Sequence, residues 1–558
     1  MAHREDPRPG ERWGRPGAAG RLGLRIGAVL ALVAVALSGA CDQEANEQRG
    51  TDESRHGGTV VIALPAEPDV LNSLVSTSAY SGQILALVQD GLAEMDEEYA
   101  WQPRIASGWD VAADGLSVTF HLRPWVWEDG ASLTARDIVR SFELFRDPVV
   151  ASPRAGLYRS VLGAVALDSA TVRFDLDGPQ LDPLWRTVHA ILPAHRVDHL
   201  DPADVRAWPL NRRPLASGPF RLQRWKAGAE IVLEPNPRYP LAGPLLDRIV
   251  FRIIPDETAR FLALEAGDVD VVEELPPQAA ARLAAGTGIE VHRVTGRVYG
   301  YVSYNFDRPL FRDARVRRAI SLAIDRERLV DGLLHGYGRP AGSPLPPAVW
   351  NHHADLLPDP HAPARAESLL AAAGWADLDG DGVRERAGER LSFELITRKG
   401  DPVRENGAVI LRDNLAAVGI DLQLRVMEHA AGLDRVRERR FDAYLGHFSQ
   451  NLLGDPSSLL LAGESGRFNY GGYASAVVDS LLAVALGETD RAAALPVWRR
   501  LQEEVAADPP AAYLYYPDVL VGVNRRIRDA RPHVLSPYNN LVEWWIAPAD
   551  RKYASQGR

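Results

Sequence analysis

The chain has 558 residues, 46% of them hydrophobic, with 63 basic and 74 acidic side chains and a formal net charge of −11. That balance disfavours a nucleic-acid partner, and the length and apolar content are enough to fill the cores of about two or three domains. A single cysteine, Cys41, excludes an internal disulfide and a cysteine-cluster metal site.

At the amino terminus Arg21 and Arg25 flank an uncharged apolar run from Ile26 to Leu37. A membrane-spanning helix needs about 20 residues, so the run fits a signal-peptide core better than a span. Leu37, Ser38, Gly39, Ala40 and Cys41 resemble a bacterial lipobox, with Ser38 where leucine is preferred. The resemblance implies that residues 1–40 are removed and that the Cys41 thiol is acylated, with Asp42 placed like an inner-membrane retention signal. At ~0.8 kcal/mol per buried methylene, two or three acyl chains make release from a membrane negligible. Residues 41–56 contain no large aliphatic side chain and are expected to form a flexible leash.

The folded body is expected to begin at Gly57. Thr59 to Ile62 predicts a buried strand, stopped by Pro65 and Pro68. Ile84, Leu85, Val88 and Leu92 follow at helical spacing. Leu116, Val118, Phe120 and Leu122 alternate with polar residues after the Asp114-Gly115 turn, which predicts a hairpin whose partner strand holds Trp109 and Val111. Thr134 and Asp137 form a capping pair for a helix through Phe142 and Phe145, ended by Asp147 and Pro148. Further on, Val316, Ile320, Ala323 and Ile324 share a helical face. Arg315, Arg317 and Arg318 lie off it and are expected to be solvated. Asp325 is placed to cap the next helix, and Pro363 and Gly374 bracket another.

Several segments in order carry a resemblance. They are GGTVVIALPAEPDVLN, DGL at Asp90 to Leu92, SGWDVAADGLSVTFHLR, WEDGASLTARDIVRSFE, SGPF at Ser217 to Phe220 and EPNPRY at Glu234 to Tyr239. YNFDRPLFRDARVRRAISLAIDRERLV, LLAAAGWADLDGDGV and FDAYLG complete the set. Together, over roughly residues 57 to 545, the chain resembles the extracytoplasmic solute-binding proteins of family 5, the peptide and nickel receptors of ABC importers. The resemblance implies an α/β fold of the periplasmic-binding-protein type II class, with two α/β lobes, a hinge and an extra subdomain in the first lobe. The expected limits are 57–298 for the first lobe, with the insertion at about 94–210, and 299–511 for the second. Residues 512–558 return to the first lobe and form the tail. The implied partners are a peptide or another small solute, an ABC permease and its ATPase subunits, and the membrane through the lipid anchor. The expected state is an extracytoplasmic monomer, and the implied alternatives are a receptor for a nickel complex or other non-peptide solute, or a sensor.

Two segments correspond to cleft-lining segments of that family. One is the loop Thr77, Ser78, Ala79 and Tyr80. The other runs through Tyr444, His447, Phe448, Gln450, Asn451 and Asp455, where the family commonly has a tryptophan and an aspartate that pairs with the peptide amino terminus. His447 stands at the tryptophan position and Gln450 at the aspartate position. Two assignments for the amine anchor stay open. Either Gln450 replaces the carboxylate, which suits a neutral polar group better than a buried ammonium, or Asp455 swings into the role.

Cofactors and catalysis have weaker signals. Asp377, Asp379, Asp381 and Gly382 match the start of a calcium loop, but its twelfth position is Gly388 rather than a bidentate glutamate, so an acidic turn is the expected reading. His352, His353 and His361 in a Pro-rich loop offer transition-metal ligands but are expected to be solvated. The chain has no HExxH, GxSxG or Walker lysine-serine motif, so neither catalysis nor a cofactor is expected.

Overall fold

The computed structural model describes residues 55–552 except 189, 287 and 463–466. The signal segment, Cys41 and the leash as far as residue 54 lie outside the described residues. Arg55, expected in the leash, pairs with Asp529 at 2.8 Å, so the last leash residues already pack on the body. Among the described residues no helix is long and apolar enough to cross a membrane.

The first strand, β1 (Thr59–Leu64), is buried along its whole length and leads to α1 (Ala79–Val88). A small antiparallel layer follows, formed by β2 (Ala106–Val111), β3 (Ser117–Leu122), β4 (Val161–Ala166) and β5 (Thr171–Leu176), with α2 (Ala135–Arg146) packed on it. The chain then returns through β6 (Phe220–Lys226), β7 (Glu230–Pro235), β8 (Arg248–Ile253), β9 (Val271–Val272) and β10 (Ile289–Thr295). The second half opens with β11 (Val298–Tyr304), α3 (Ala314–Ala323), α4 (Arg326–Leu334), β12 (Gly338–Pro340) and α5 (Pro363–Ala372). It continues through β13 (Ser392–Arg398), α6 (Pro402–Ala416), β14 (Asp421–Met427) and β15 (Ala443–Ser449). The helices α7 (Ala476–Gly487) and α8 (Arg491–Ala507) precede the long strand β16 (Ala511–Asn524).

Twelve of these strands form one sheet in the order β14-β13-β15-β11-β16-β9-β1-β8-β7-β6, with β10 and β12 also paired to β16. β16 is the seam. Its residues 511–515 pair with β11 in the second lobe, and residues 518–524 pair with β10 in the first. Two antiparallel chain crossings therefore join the lobes, one through β10 and β11 and one through β16. Between β10 and β11, a Cβ on Gly296 would sit 2.6 Å from the Pro517 carbonyl oxygen, so this close approach requires glycine.

The local chemistry follows the sequence in most elements. In α2 the Asp137 carboxylate accepts from the Thr134 backbone N–H at 2.8 Å, and Phe142 and Phe145 face the small sheet, contributing roughly 2 kcal/mol each by burial. Val118 and Phe120 point inward from β3, whereas Leu116 lies in the preceding turn and is exposed. α1 stops at Val88, before Leu92, because the Gln89 backbone turns extended. Ser78 is its N-cap and Ala79 and Tyr80 form its first turn, so the expected loop ends at Ser78.

Arg317 is the clearest departure. Expected on a solvated face, it is 2% exposed and donates to the carbonyls of Phe311 (2.5 Å) and Pro509 (3.0 Å) and to Asp508. A segment distant in sequence supplies the Asp508 and Pro509 acceptors and draws the guanidinium inward.

Candidate functional site

On the first lobe, the parallel strands β1 and β9 end at the same edge, where the chain continues into Glu273 and Glu274. Glu273 accepts from Gln83 Nε2 at 2.9 Å and from the Tyr538 hydroxyl. Burial pushes its carboxyl up to about 7, and neighbouring Glu274 adds to the rise while the two hydrogen bonds oppose it. Tyr80 lies beside the pair, its phenol raised by burial and by both carboxylates.

The preceding loop is fixed by Asp69, which follows Pro68 in the first segment of the family resemblance. Its carboxylate accepts from Ser76 Oγ (2.6 Å), Ser81 Oγ (2.8 Å) and the Thr77 N–H (3.2 Å). Burial works against ionisation there, but these bonds hold the carboxyl below its ordinary value. Arg154, from the segment after α2, donates to the carbonyls of Ser73 (2.7 Å) and Ser76 (2.6 Å) and ties the inserted layer to the same loop.

On the second lobe, β15 carries Tyr444, His447 and Phe448. His447 Nε2 lies 2.8 Å from the Tyr515 hydroxyl, and burial, reinforced by Arg404, pushes the imidazole down to about 4, so it is neutral at physiological pH. Arg404 pairs with Asp401 at 3.0 Å, and Asp401 also caps α6 through the Arg404 N–H at 3.1 Å. The Asp401-Pro402 helix start is the sequence signal that would have located this pair. Phe448 packs on Tyr299 and Phe468 at centroid separations of 5.9 and 5.7 Å.

Gln450 directly follows β15 and is wholly buried. Asn451 and Asp455 form a turn in which Asp455 N–H donates to Asn451 Oδ1 at 3.2 Å, and Asp455 Oδ1 accepts from the Ser457 N–H at 2.9 Å. The structure thus gathers Tyr444 through Asp455 at one edge of the second lobe and Thr77 to Tyr80 on the first. Among the described residues no hydrogen bond links the two sets. A cavity of about 40 Å³ lies behind β11, lined by Tyr299, Tyr301, Asn469 and Tyr473; it has room for a few waters and is too small for a peptide.

The lobes also meet away from these edges. Leu181 N–H donates to the Leu486 carbonyl at 3.1 Å, Tyr99 Oη donates to the Ala348 carbonyl at 2.6 Å, and Arg491 binds both Asp182 (2.5 Å) and the Tyr99 carbonyl (2.6 Å).

The metal candidates separate. Carboxylate oxygens of Asp377, Asp379, Asp381 and Glu385 lie within 4.8 Å of one another on an exposed turn. Glu385 is the fourth member. Asp377 already accepts from the N–H groups of Gly380 and Gly382, and Asp381 pairs with Arg390 at 2.7 Å. The three histidines do not converge: His352 contacts the Leu345 carbonyl, His353 approaches Glu503 and His361 approaches Asp325.

Residues 100–470 match the family model described as bacterial extracellular solute-binding proteins, family 5 Middle. The chain is 28% identical over 534 residues to the oligopeptide-binding protein AppA of Bacillus subtilis, covering 94% of this chain and 98% of that protein. It is 31% identical over 484 residues to Protein XP55 of Streptomyces lividans, covering 83% and 85%. The structure of B. subtilis AppA with a nonapeptide superposes with a TM-score of 0.70 at 28% identity, over 88% of this chain and 99% of that one. The substrate-binding protein CtaP of Listeria monocytogenes gives a TM-score of 0.78 at 22% identity, over 88% and 100%.

Proposed function

Because the chain belongs to the bacterial extracellular solute-binding proteins of family 5, we propose that it is the substrate-binding component of an ABC importer. It takes a peptide or similar small solute into the cleft between its lobes and passes it to a membrane permease. The observation that carries this reading is the nearly end-to-end likeness to an oligopeptide-binding protein, in sequence and in fold.

The mechanism follows from the two crossings. Contacts from both lobes to one solute exist only when the lobes are closed, so binding shifts the population toward closure. The Tyr80–Glu273 edge and the Arg404–His447 edge supply polar groups from opposite sides, and an extended solute backbone is held in strand fashion. The solute leaves unchanged, and the energy for transport comes from the ATPase subunits.

Lipid attachment at Cys41 keeps this body beside its permease, with residues 42–54 as the tether. A Cys41→Ser chain is expected to leave the membrane fraction; retention there would identify the Ile26 to Leu37 segment as the anchor.

Small-angle scattering with and without tetra-alanine tests the receptor reading. The expected result is a saturable fall in radius of gyration at one peptide per chain. A profile unchanged by saturating peptides of every length tried would reject it.

A further inference from the structure

A row of polar groups at the hinge lacks partners. In the antiparallel pairing of β11 with β15, Val298 opposes Ser449 and Tyr299 opposes Phe448. One step further along, the Gln450 N–H donates to the Arg297 carbonyl at 2.9 Å, and Arg297 Nη1 donates to the Gln450 carbonyl at 2.7 Å. Opposed residues in such a ladder share a face, as do residues two apart, which puts Arg297, Gln450 and Tyr299 side by side. Gln450 is 0% exposed with neither amide atom bonded, and Tyr299 is 1% exposed with its hydroxyl unbonded.

Arg297 sits between the lobes. It follows Gly296 at the crossing, and its titratable neighbour is the Tyr99 phenol of the first lobe. No carboxylate among the described residues pairs with it. Burial lowers its pKa, and only the Tyr99 phenol opposes the fall. The Gln450 amide N–H groups and the Tyr299 O–H are therefore unmet, and unmet buried donors are costly, while the half-buried Arg297 guanidinium, one donor of which is on the Gln450 carbonyl, adds a positive charge beside them. A single anionic acceptor satisfies them together, whereas an ammonium would meet a like charge.

We infer that the solute is seated with a carboxylate, not an ammonium, at Arg297 and Gln450. The inference rests on the receptor reading above and names the polarity of its ligand.

Calorimetry with tetra-alanine, its C-terminal amide and its N-acetyl form tests the polarity. Amidation is expected to weaken binding about tenfold or more, since a charge-assisted hydrogen bond is lost, while acetylation changes it little. In Arg297→Gln the acid and the amide should bind alike, and Arg297→Lys should restore part of the preference. The opposite pattern, with acetylation costly and amidation harmless, overturns the inference and leaves the receptor reading intact.

A second probe does not depend on peptides. Acetate, compared with chloride at equal ionic strength, should raise the melting temperature of the wild-type chain and not that of Arg297→Gln. A rise with acetate but no binding of any peptide would reject the peptide reading alone. No acetate effect, or an equal one in Arg297→Gln, would reject the carboxylate site.

Discussion

Asp182, in the segment that follows β5, and Arg491, at the start of α8, form an ion pair of 2.5 Å whose side chains are 5% and 28% exposed. Asp182 adopts a left-handed backbone (φ 53°), which lets its carboxylate also accept from Trp101 Nε1 at 2.7 Å. With Leu181 packed among second-lobe residues such as Trp498 and Tyr513, this contact clips the inserted layer to the second lobe.

Breaking that clip is expected to favour the open form. Arg491→Met removes the cation and leaves Asp182 buried with only Trp101 as partner, at a cost of about 3 kcal/mol because one half of a buried pair is stranded. Scattering from the solute-free variant should give a larger radius of gyration than wild type. An unchanged radius would mean that the pair does not restrain the lobes.

Stability should depend on pH through Glu273. Its folded pKa of about 7 lies above the ordinary 4.5, so between those values the folded chain binds more protons than the unfolded one. Stability contributed by this group is present below about pH 4.5 and is lost as pH rises to about 7. The loss is about 3 kcal/mol at full effect. Urea melts at pH 5 and pH 8 should show a difference in wild type that shrinks in Glu273→Gln; equal pH responses would contradict the assignment.

The buried Arg317 predicts a contrast with its neighbour. Arg317→Met leaves the carbonyls of Phe311 and Pro509 unpaired and should cost about 3 kcal/mol. Arg315→Met, on an exposed side chain paired with Asp313, should cost far less, because solvent screens an exposed pair. Thermal melts of the two variants decide it, and similar losses would contradict the burial account.

That contrast also marks what was legible in the sequence. The Thr134–Asp137 cap, the inward Val118 and Phe120, and the Pro363 and Gly374 brackets depend on residues a few positions apart, so local spacing reveals them. The acceptors of Arg317 near residue 509 and the half-buried position of Arg297 between two crossings depend on strand order across the whole sheet. Nothing local distinguishes Arg297 from the other arginines except the glycine before it. The segment through Gln450 was found because it resembles a family motif, but the missing partners of its amide appear only in the packed structure.

Gln450 itself should matter for binding. Gln450→Ala is expected to weaken solute affinity at least about tenfold, since it removes an unpaired amide beside Arg297. Calorimetric affinity equal to wild type would place this side chain outside the solute contacts.

The central claim is that the chain captures a solute and releases it unaltered. Native mass spectrometry of the protein purified without added ligand, followed by denaturing release, tests it most directly. The expected result is one peptide or peptide-like solute per chain, recovered with its mass unchanged after prolonged incubation with the protein. A chain that stays empty in the presence of saturating peptides, or that converts the bound solute to products, would contradict it.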